Sequence, residues 1–252
     1  MMTRLSVNLN KIALLRNSRE SGLPSVTRAA VVSLAAGAAG ITVHPRPDER
    51  HIRPSDVSDL SRLLEGYPDA EFNIEGNPFH NLVRIALEAV PDQCTLVPDE
   101  AGALTSSHGW SLPERSRELE PVIRTLKDAG IRVSLFMDPL PAAMRIARDL
   151  GADRVELYTE SYARMPHDPS VLARYVDSAR AAREAGLGVN AGHDLNLENV
   201  GRFVAAAAPI DEVSIGHALI GDALEMGLGA AVRAYAGALA AGTAGQEGKA
   251  GA

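Results

Sequence analysis

Ala35–Ile52 reads AAGAAGITVHPRPDERHI, and its first half sets the fold. A small-residue helix end meets glycine at Gly37, a β-branched run follows at Gly40–Val43, and the run closes on His44. Glycine at a helix end takes the left-handed turn that other residues enter only at a cost, so the stretch is predicted to be a short helix-to-strand joint. The same chemistry recurs as DAGIRVSLF at Asp128–Phe136, DLGADRVEL at Asp149–Leu157 and EAGLGVNAG at Glu184–Gly192. Outward from these joints, strands are predicted at Leu5–Asn8, Ile41–His44, Glu71–Glu75, Gln93–Val97, Arg132–Met137, Arg154–Tyr158, Leu187–Ala191 and Glu212–Ile215. Helices fill the spaces between them. Ser25 is placed to cap a helix running to about Ala39, and Pro54 to open one running to about Glu65. Alternating strands and helices in this number match an α/β fold, a (β/α)8 TIM barrel forming a single domain over residues 1–239. An open doubly wound sheet is the alternative, but no G-x-G-x-x-G follows an early strand. Residues 240–252, AAGTAGQEGKAGA, hold too little apolar side chain to pack and are read as a flexible tail.

Composition narrows the function. With 252 residues and 46% hydrophobic side chains the chain can fill a large core. A formal net charge of −7 argues against a general binder of nucleic acid or of anionic membranes, so any anion must bind at a local site. Cys94 is the single cysteine and cannot form an intrachain disulfide. The opening MMTRLSVNLN lacks the apolar stretch of a secretory signal, and no apolar run approaches the ~20 residues of a membrane span. A cytoplasmic location is expected.

In a barrel, chemistry collects where the strands finish. Asn8, His44 and Glu75 end the first three strands, and Glu156 and Tyr158 lie on the sixth. The seventh runs into Asn190-Ala191-Gly192-His193-Asp194 and the eighth into Gly216-His217. His44, Glu75 and His193 would converge on one mouth as a carboxylate and two imidazoles able to move protons. Beside them, Arg46 and His51, with Thr105 from the long loop, offer one seat for a phosphate. Backbone N–H groups at Gly192–Asp194 and Gly216–His217 offer a second. Two anion seats around one acid–base cluster suggest two phosphorylated reactants. The connection Pro98–Pro113 is long for a barrel and is expected either to fold over the mouth as a lid or to be a merely mobile loop. Simpler uses stay open: Asn8 as a loop anchor, Glu156 as an arginine's partner in a barrel layer, His44–Ile52 as a solvated loop. A metal site is the rival use of the same histidines, but no H-x-x-x-H, H-E-x-x-H or cysteine cluster is present. Cys94 has no nucleophile elbow around it and is read as core.

NLNKIALLRNSR at Asn8–Arg19, GITVHPRPDERHI at Gly40–Ile52, FNIEG at Phe72–Gly76, TLVPDE at Thr95–Glu100, RVELYTESYA at Arg154–Ala163, VNAGHDL at Val189–Leu195 and EVSIGHALI at Glu212–Ile220 resemble, in order, the pyridoxine 5′-phosphate synthase family. The resemblance reaches to about Leu239. It implies a (β/α)8 barrel assembled as a homo-octamer, a tetramer of dimers, that needs no metal or organic cofactor. The implied reaction condenses 3-amino-2-oxopropyl phosphate with 1-deoxy-D-xylulose 5-phosphate to pyridoxine 5′-phosphate, phosphate and water. His44 and Glu75 would then be proton acceptors, His193 the proton donor, and Glu156 the carboxylate that stabilises a transition state. Asn8, Arg19, His193, Asp194, Gly216 and His217 would hold the amino ketone phosphate, and Arg46, His51 and Thr105 the sugar phosphate.

Two departures stand out. The commoner first motif is Asn-x-Asp-His, whose Asp-His pair touches the sugar phosphate; here those places hold Asn10 and Lys11, a form similar to that of a subset of the family. Lys11 offers a cation without imidazole geometry. Asp194 stands where the usual residue is glycine, so contact there would come from backbone N–H. Another phosphosugar aldolase or isomerase on the same barrel, or a non-catalytic binder of phosphorylated metabolites, are the alternative readings.

Overall fold

Along each strand, apolar residues alternate with small or polar ones, and a closed parallel barrel puts the two sets on opposite faces of its wall. The computed structural model of the chain describes residues 2–103, 105–207 and 209–250. Its strands are β1 (Arg4–Asn8), β2 (Gly40–Val43), β3 (Glu71–Gly76), β4 (Gln93–Leu96), β5 (Arg132–Met137), β6 (Arg154–Tyr158), β7 (Gly188–Gly192) and β8 (Glu212–Ile215). They pair in chain order, and β8 returns to β1 through Arg4↔Glu212 to Val7↔Ile215. Val7, Ile41, Val43, Ile74, Leu96, Val133, Leu135, Val155, Val189 and Val213 are fully buried on the outer face, where the helices pack. This is the (β/α)8 barrel expected from the sequence.

The helices are α1 (Asn10–Asn17), α2 (Val26–Ala35), α3 (Pro54–Leu64), α4 (Leu82–Ala89), α5 (Leu112–Asp128), α6 (Pro141–Asp149), α7 (Glu160–Arg164), α8 (Pro169–Glu184), α9 (Val200–Ala207), α10 (His217–Met226) and α11 (Leu228–Ala250). The four joint glycines take positive φ as the sequence requires: 104° at Gly37, 79° at Gly130, 96° at Gly151 and 81° at Gly186. Ser25 caps α2 by accepting from the Arg28 N–H, and Pro54 opens α3.

Past Leu239, where a flexible tail is expected, the backbone of α11 continues as helix to Ala250. Small residues are the reason. A Cβ on Gly242 would lie 2.5 Å from the Gly201 carbonyl oxygen, so glycine lets α11 close on α9, and Thr243 is buried with its hydroxyl donating to the Leu239 carbonyl. Residues 251–252 lie outside the described residues.

Inside the barrel the filling is polar. Ser6 and Thr42 hydroxyls lie 2.7 Å apart, Thr95 donates to Asn73 at 2.9 Å, and Asn73 reaches Thr42. Below them, at the strands' amino ends, Glu71 accepts from Arg4 and Arg132, with Arg154 3.7 Å away. The barrel carboxylate paired with arginine is thus Glu71, and Glu156 is free for the mouth. Removing Glu71 would leave three guanidinium groups facing one another. Glu71→Ala is expected to lower the unfolding free energy by about 3 kcal/mol, toward the low end for breaking a buried pair because the Arg4 side chain is 37% exposed. Urea unfolding measures it; a loss below about 0.5 kcal/mol would mean the cluster contributes nothing.

Candidate active site

The strand ends surround one cavity of about 540 Å3 at the carboxyl face of the barrel. Asn8, His44, Glu75, Glu156 and His193 line it from five different strands or their ends. Asn10, Lys11, Arg46, His51 and Thr105 line one side, and Asp194, Gly216 and His217 another. Arg19 is the exception. It lies on the exposed turn after α1, its N–H donating to the Arg16 carbonyl, and it does not line the cavity. α1 ends two residues earlier, at Asn17, which leaves Arg19 outside the lining of the cavity.

Asn10 holds His44 in place: its Oδ1 accepts the His44 N–H at 2.9 Å, tying the start of α1 to the end of β2. His44 is 6% exposed, and burial, then Arg46, His51 and His193 as neighbouring charges, hold its pKa well below the usual imidazole value. It is neutral at pH 7 and free to accept a proton. Glu75 is the opposite case. Burial first, then the nearby Glu156 carboxylate, push it well above the ordinary carboxylate range. Glu156 is itself raised to about 8, by burial and by Glu212. Its carboxylate sits over β7 in space only glycine leaves, since a Cβ at Gly192 would be 2.3 Å from Glu156 Oε1.

His193 follows directly, in a backbone conformation few residues adopt, with φ 92°, and Asp194 follows with φ 57°. Aspartate is tolerated at 194 in place of glycine because it is among the few residues that enter the left-handed region. The Thr159 hydroxyl donates to the carbonyls of Gly192 and His193, fixing this turn. The His193 ring meets Tyr158 at 5.0 Å and Phe136 at 5.8 Å, edge to face. Its Nε2 lies 2.9 Å from the Thr105 hydroxyl, so Thr105 reaches the end of β7 rather than only the Arg46 side. Burial lowers its pKa, while Asp194, Asp99 and Glu160 oppose the shift.

The first anion seat holds Arg46, His51, Lys11 and Arg50. His51 Nδ1 accepts the Ile52 N–H at 2.9 Å, which leaves Nε2–H as its donor, and burial beside Arg46 and Lys11 lowers its pKa to about 4. Arg46 is buried and pairs with Asp99, and Asp99 also accepts from Ser106. The second seat is the start of α10 just past β8, where first-turn N–H groups have no helical acceptor. A Cβ on Gly216 would crowd Asn8 at 3.1 Å, so glycine lets these two strand ends meet. Sequence reasoning singled out neither Asp99 nor Ser106 as part of the site; the only signal was that Asp99 falls in a matched motif.

The polar residues of both groups and the three acid–base side chains thus share one cavity. The family model described as "Pyridoxal phosphate biosynthesis protein PdxJ" matches residues 5–241. The chain belongs to this family. A pyridoxine 5′-phosphate synthase of Albidiferax ferrireducens is 56% identical over 250 residues, covering 96% of this chain and 99% of that protein. One from Brucella abortus is 49% identical, covering 95% and 100%. The family match spans all eight strands and runs into α11, to residue 241. Among solved structures, tryptophan synthase subunit alpha of Legionella pneumophila superposes with TM-score 0.66 at 16% identity over 94% of this chain and 92% of that one. Phosphoribosyl anthranilate isomerase of Thermus thermophilus gives 0.56 at 14% identity, over 94% and 98%. These two share the fold. No helix among the described residues is long and apolar enough to cross a membrane.

Proposed function

We propose that this chain condenses 3-amino-2-oxopropyl phosphate with 1-deoxy-D-xylulose 5-phosphate into pyridoxine 5′-phosphate, releasing phosphate and water. The observation that supports the reading is that His44, Glu75 and His193, far apart in the chain, line one cavity together with Arg46, His51, Gly216 and His217. The sugar phosphate is held by Arg46, His51 and Lys11, with Asn10 acting through the His44 backbone. The amino ketone phosphate is held by the backbone at His193–Asp194 and Gly216–His217, beside Asn8.

Forming the ring needs the amine to add to a ketone, water to leave, a phosphate to leave, and a carbon–carbon bond to close, and every step moves protons. His44, kept neutral by burial, accepts the first from the amine as it adds. Glu75, when ionised, takes a proton from carbon ahead of elimination. His193 returns a proton to the departing oxygen; a phosphate dianion seated next to it adds a negative charge that raises its pKa and favours the protonated donor. Glu156 lines the same cavity, and a cationic carbon–nitrogen intermediate beside it would draw its raised pKa down, so that its carboxylate forms as the cation does and stabilises it. Thr105, bonded to His193, helps keep water from these transfers. We further propose that the chain works in the cytoplasm as a homo-octamer, a tetramer of dimers.

The purified chain, incubated with both substrates and no added metal, is expected to form pyridoxine 5′-phosphate, detected by its pyridine fluorescence; absence of product with both present would reject the reading. Arg46→Lys is expected to raise KM for the sugar phosphate about tenfold, because a planar fork that meets Asp99 on one side and phosphate on the other becomes a single ammonium. Unchanged steady-state kinetics would show that the fork is not used.

A further inference from the structure

The motif TLVPDE at Thr95–Glu100 supplies nothing to the proton transfers, yet it carries a buried charge behind the cavity wall. Asp99 is 5% exposed and does not line the cavity, whereas Arg46 at 4% and Ser106 at 6% both do. Its Oδ2 accepts from Arg46 Nη2 at 2.5 Å and from the Ser106 hydroxyl at 2.9 Å. Its backbone carbonyl accepts from Asn77 Nδ2 at 2.9 Å, so the acid is anchored to the end of β3 as well. A second tie runs parallel, with Arg50 donating to the carbonyls of Ala103 at 3.0 Å and Ala101 at 3.3 Å.

We propose that Asp99 is the positioning residue of the sugar phosphate seat: one carboxylate clamps the outer edge of the Arg46 guanidinium and catches loop 98–113 through Ser106, so that arginine aim and loop closure are set together. The proposal rests on the reading of Arg46 as a phosphate ligand. A guanidinium has five donors in a rigid fork. Occupying Nη2 from behind leaves the remaining edge for an incoming phosphate and lowers the rotamer freedom lost on binding. The clamp also keeps apart two groups that attract each other. Arg46 is close enough to Glu75 to oppose its raised pKa, and an Arg46 released from Asp99 has that catalytic carboxylate as its alternative partner. Ser106 bonds the same oxygen, so opening the loop and loosening the arginine are one event.

The test uses Asp99→Asn and Ser106→Ala in the full chain, with KM determined separately for each substrate and kcat/KM followed against pH. Asp99→Asn is expected to raise KM for the sugar phosphate about tenfold while KM for the amino ketone phosphate stays within about twofold, and to move the acid limb of the profile to lower pH, because the Asp99 charge that helps raise Glu75 is gone and Arg46 is free to turn toward Glu75. Ser106→Ala, which keeps the ion pair, is expected to raise the same KM about threefold with the acid limb in place. Equal increases in both KM values with an unmoved limb in Asp99→Asn would overturn the proposal, as would no change at all. Should Asp99→Asn fail to fold, an unchanged sugar phosphate KM in Ser106→Ala overturns it instead. Arg46→Lys separates the two readings. If that variant leaves the sugar phosphate KM unchanged, the ligand role of Arg46 fails, and if it raises KM while Asp99→Asn does not, only the role of Asp99 fails.

Discussion

His193→Ala lowers kcat by about 100- to 10,000-fold, with KM for either substrate moving less than about threefold, in the steady-state kinetics we expect. The split follows from where the side chain and the backbone point their chemistry. The second anion seat is made of main-chain N–H groups at the end of β7 and the start of α10, and alanine keeps these. What alanine removes is the imidazole that meets Tyr158 and Phe136 and faces the Thr105 hydroxyl. The position has φ 92°, so alanine adds strain there, and His193→Asn serves as the companion variant because asparagine tolerates positive φ better. Both are expected to lose turnover together. A large rise in KM with kcat unaltered would make His193 a binding group only.

Glu75→Gln is expected to lower kcat by about 100- to 1,000-fold, and the wild-type pH profile says why. A proton acceptor works in its ionised form, so kcat/KM rises as pH rises through its pKa. Burial and the neighbouring Glu156 place that pKa well above the ordinary carboxylate range, and the acid limb therefore lies above where a solvated glutamate would put it. His44, with its pKa held low, is already neutral there and adds no limb above pH ~6.5. Because the two carboxylates interact, the limb belongs to the pair. Glu156→Gln removes a negative neighbour, makes ionisation of Glu75 easier, and is expected to move the limb to lower pH while reducing kcat. A limb that stays in place or moves upward, measured from kcat/KM between pH 5 and 9, would contradict this coupling.

Much of the fold was legible because its punctuation is local. Gly37, Gly130, Gly151 and Gly186 each need the left-handed turn they take, and Ser25 and Pro54 open helices where their own backbone chemistry directs. Helices α1 and α7 were among those not foreseen. In α1, Ile12–Leu15 is apolar without a gap and Leu9 gives no side-chain cap, so no helical period stands out, and α7 is only Glu160–Arg164. The packed stretch after Leu239 was hidden for a different reason: small residues look too weak to pack, yet Gly242 gains its place by close approach to Gly201. At the site, any residue on a strand end could be placed from topology alone, which is why His44, Glu75, Glu156 and His193 come together. Arg19 was beyond that logic, since it sits past a helix whose end decides its direction. Asp99 and Glu71 were beyond it too, because their partners lie 53 residues away at Arg46 and 67 and 61 away at Arg4 and Arg132. Only the barrel register makes them neighbours.

The most direct check is a crystal structure of the chain soaked with pyridoxine 5′-phosphate and inorganic phosphate. Two phosphate groups are expected on opposite sides of His44, Glu75 and His193, one within hydrogen-bond reach of Arg46 and His51, the other against the backbone of residues 193–194 and 216–217. Phosphates bound elsewhere, or a product ring that none of the three side chains touches, would contradict an acid–base centre held between two anion seats.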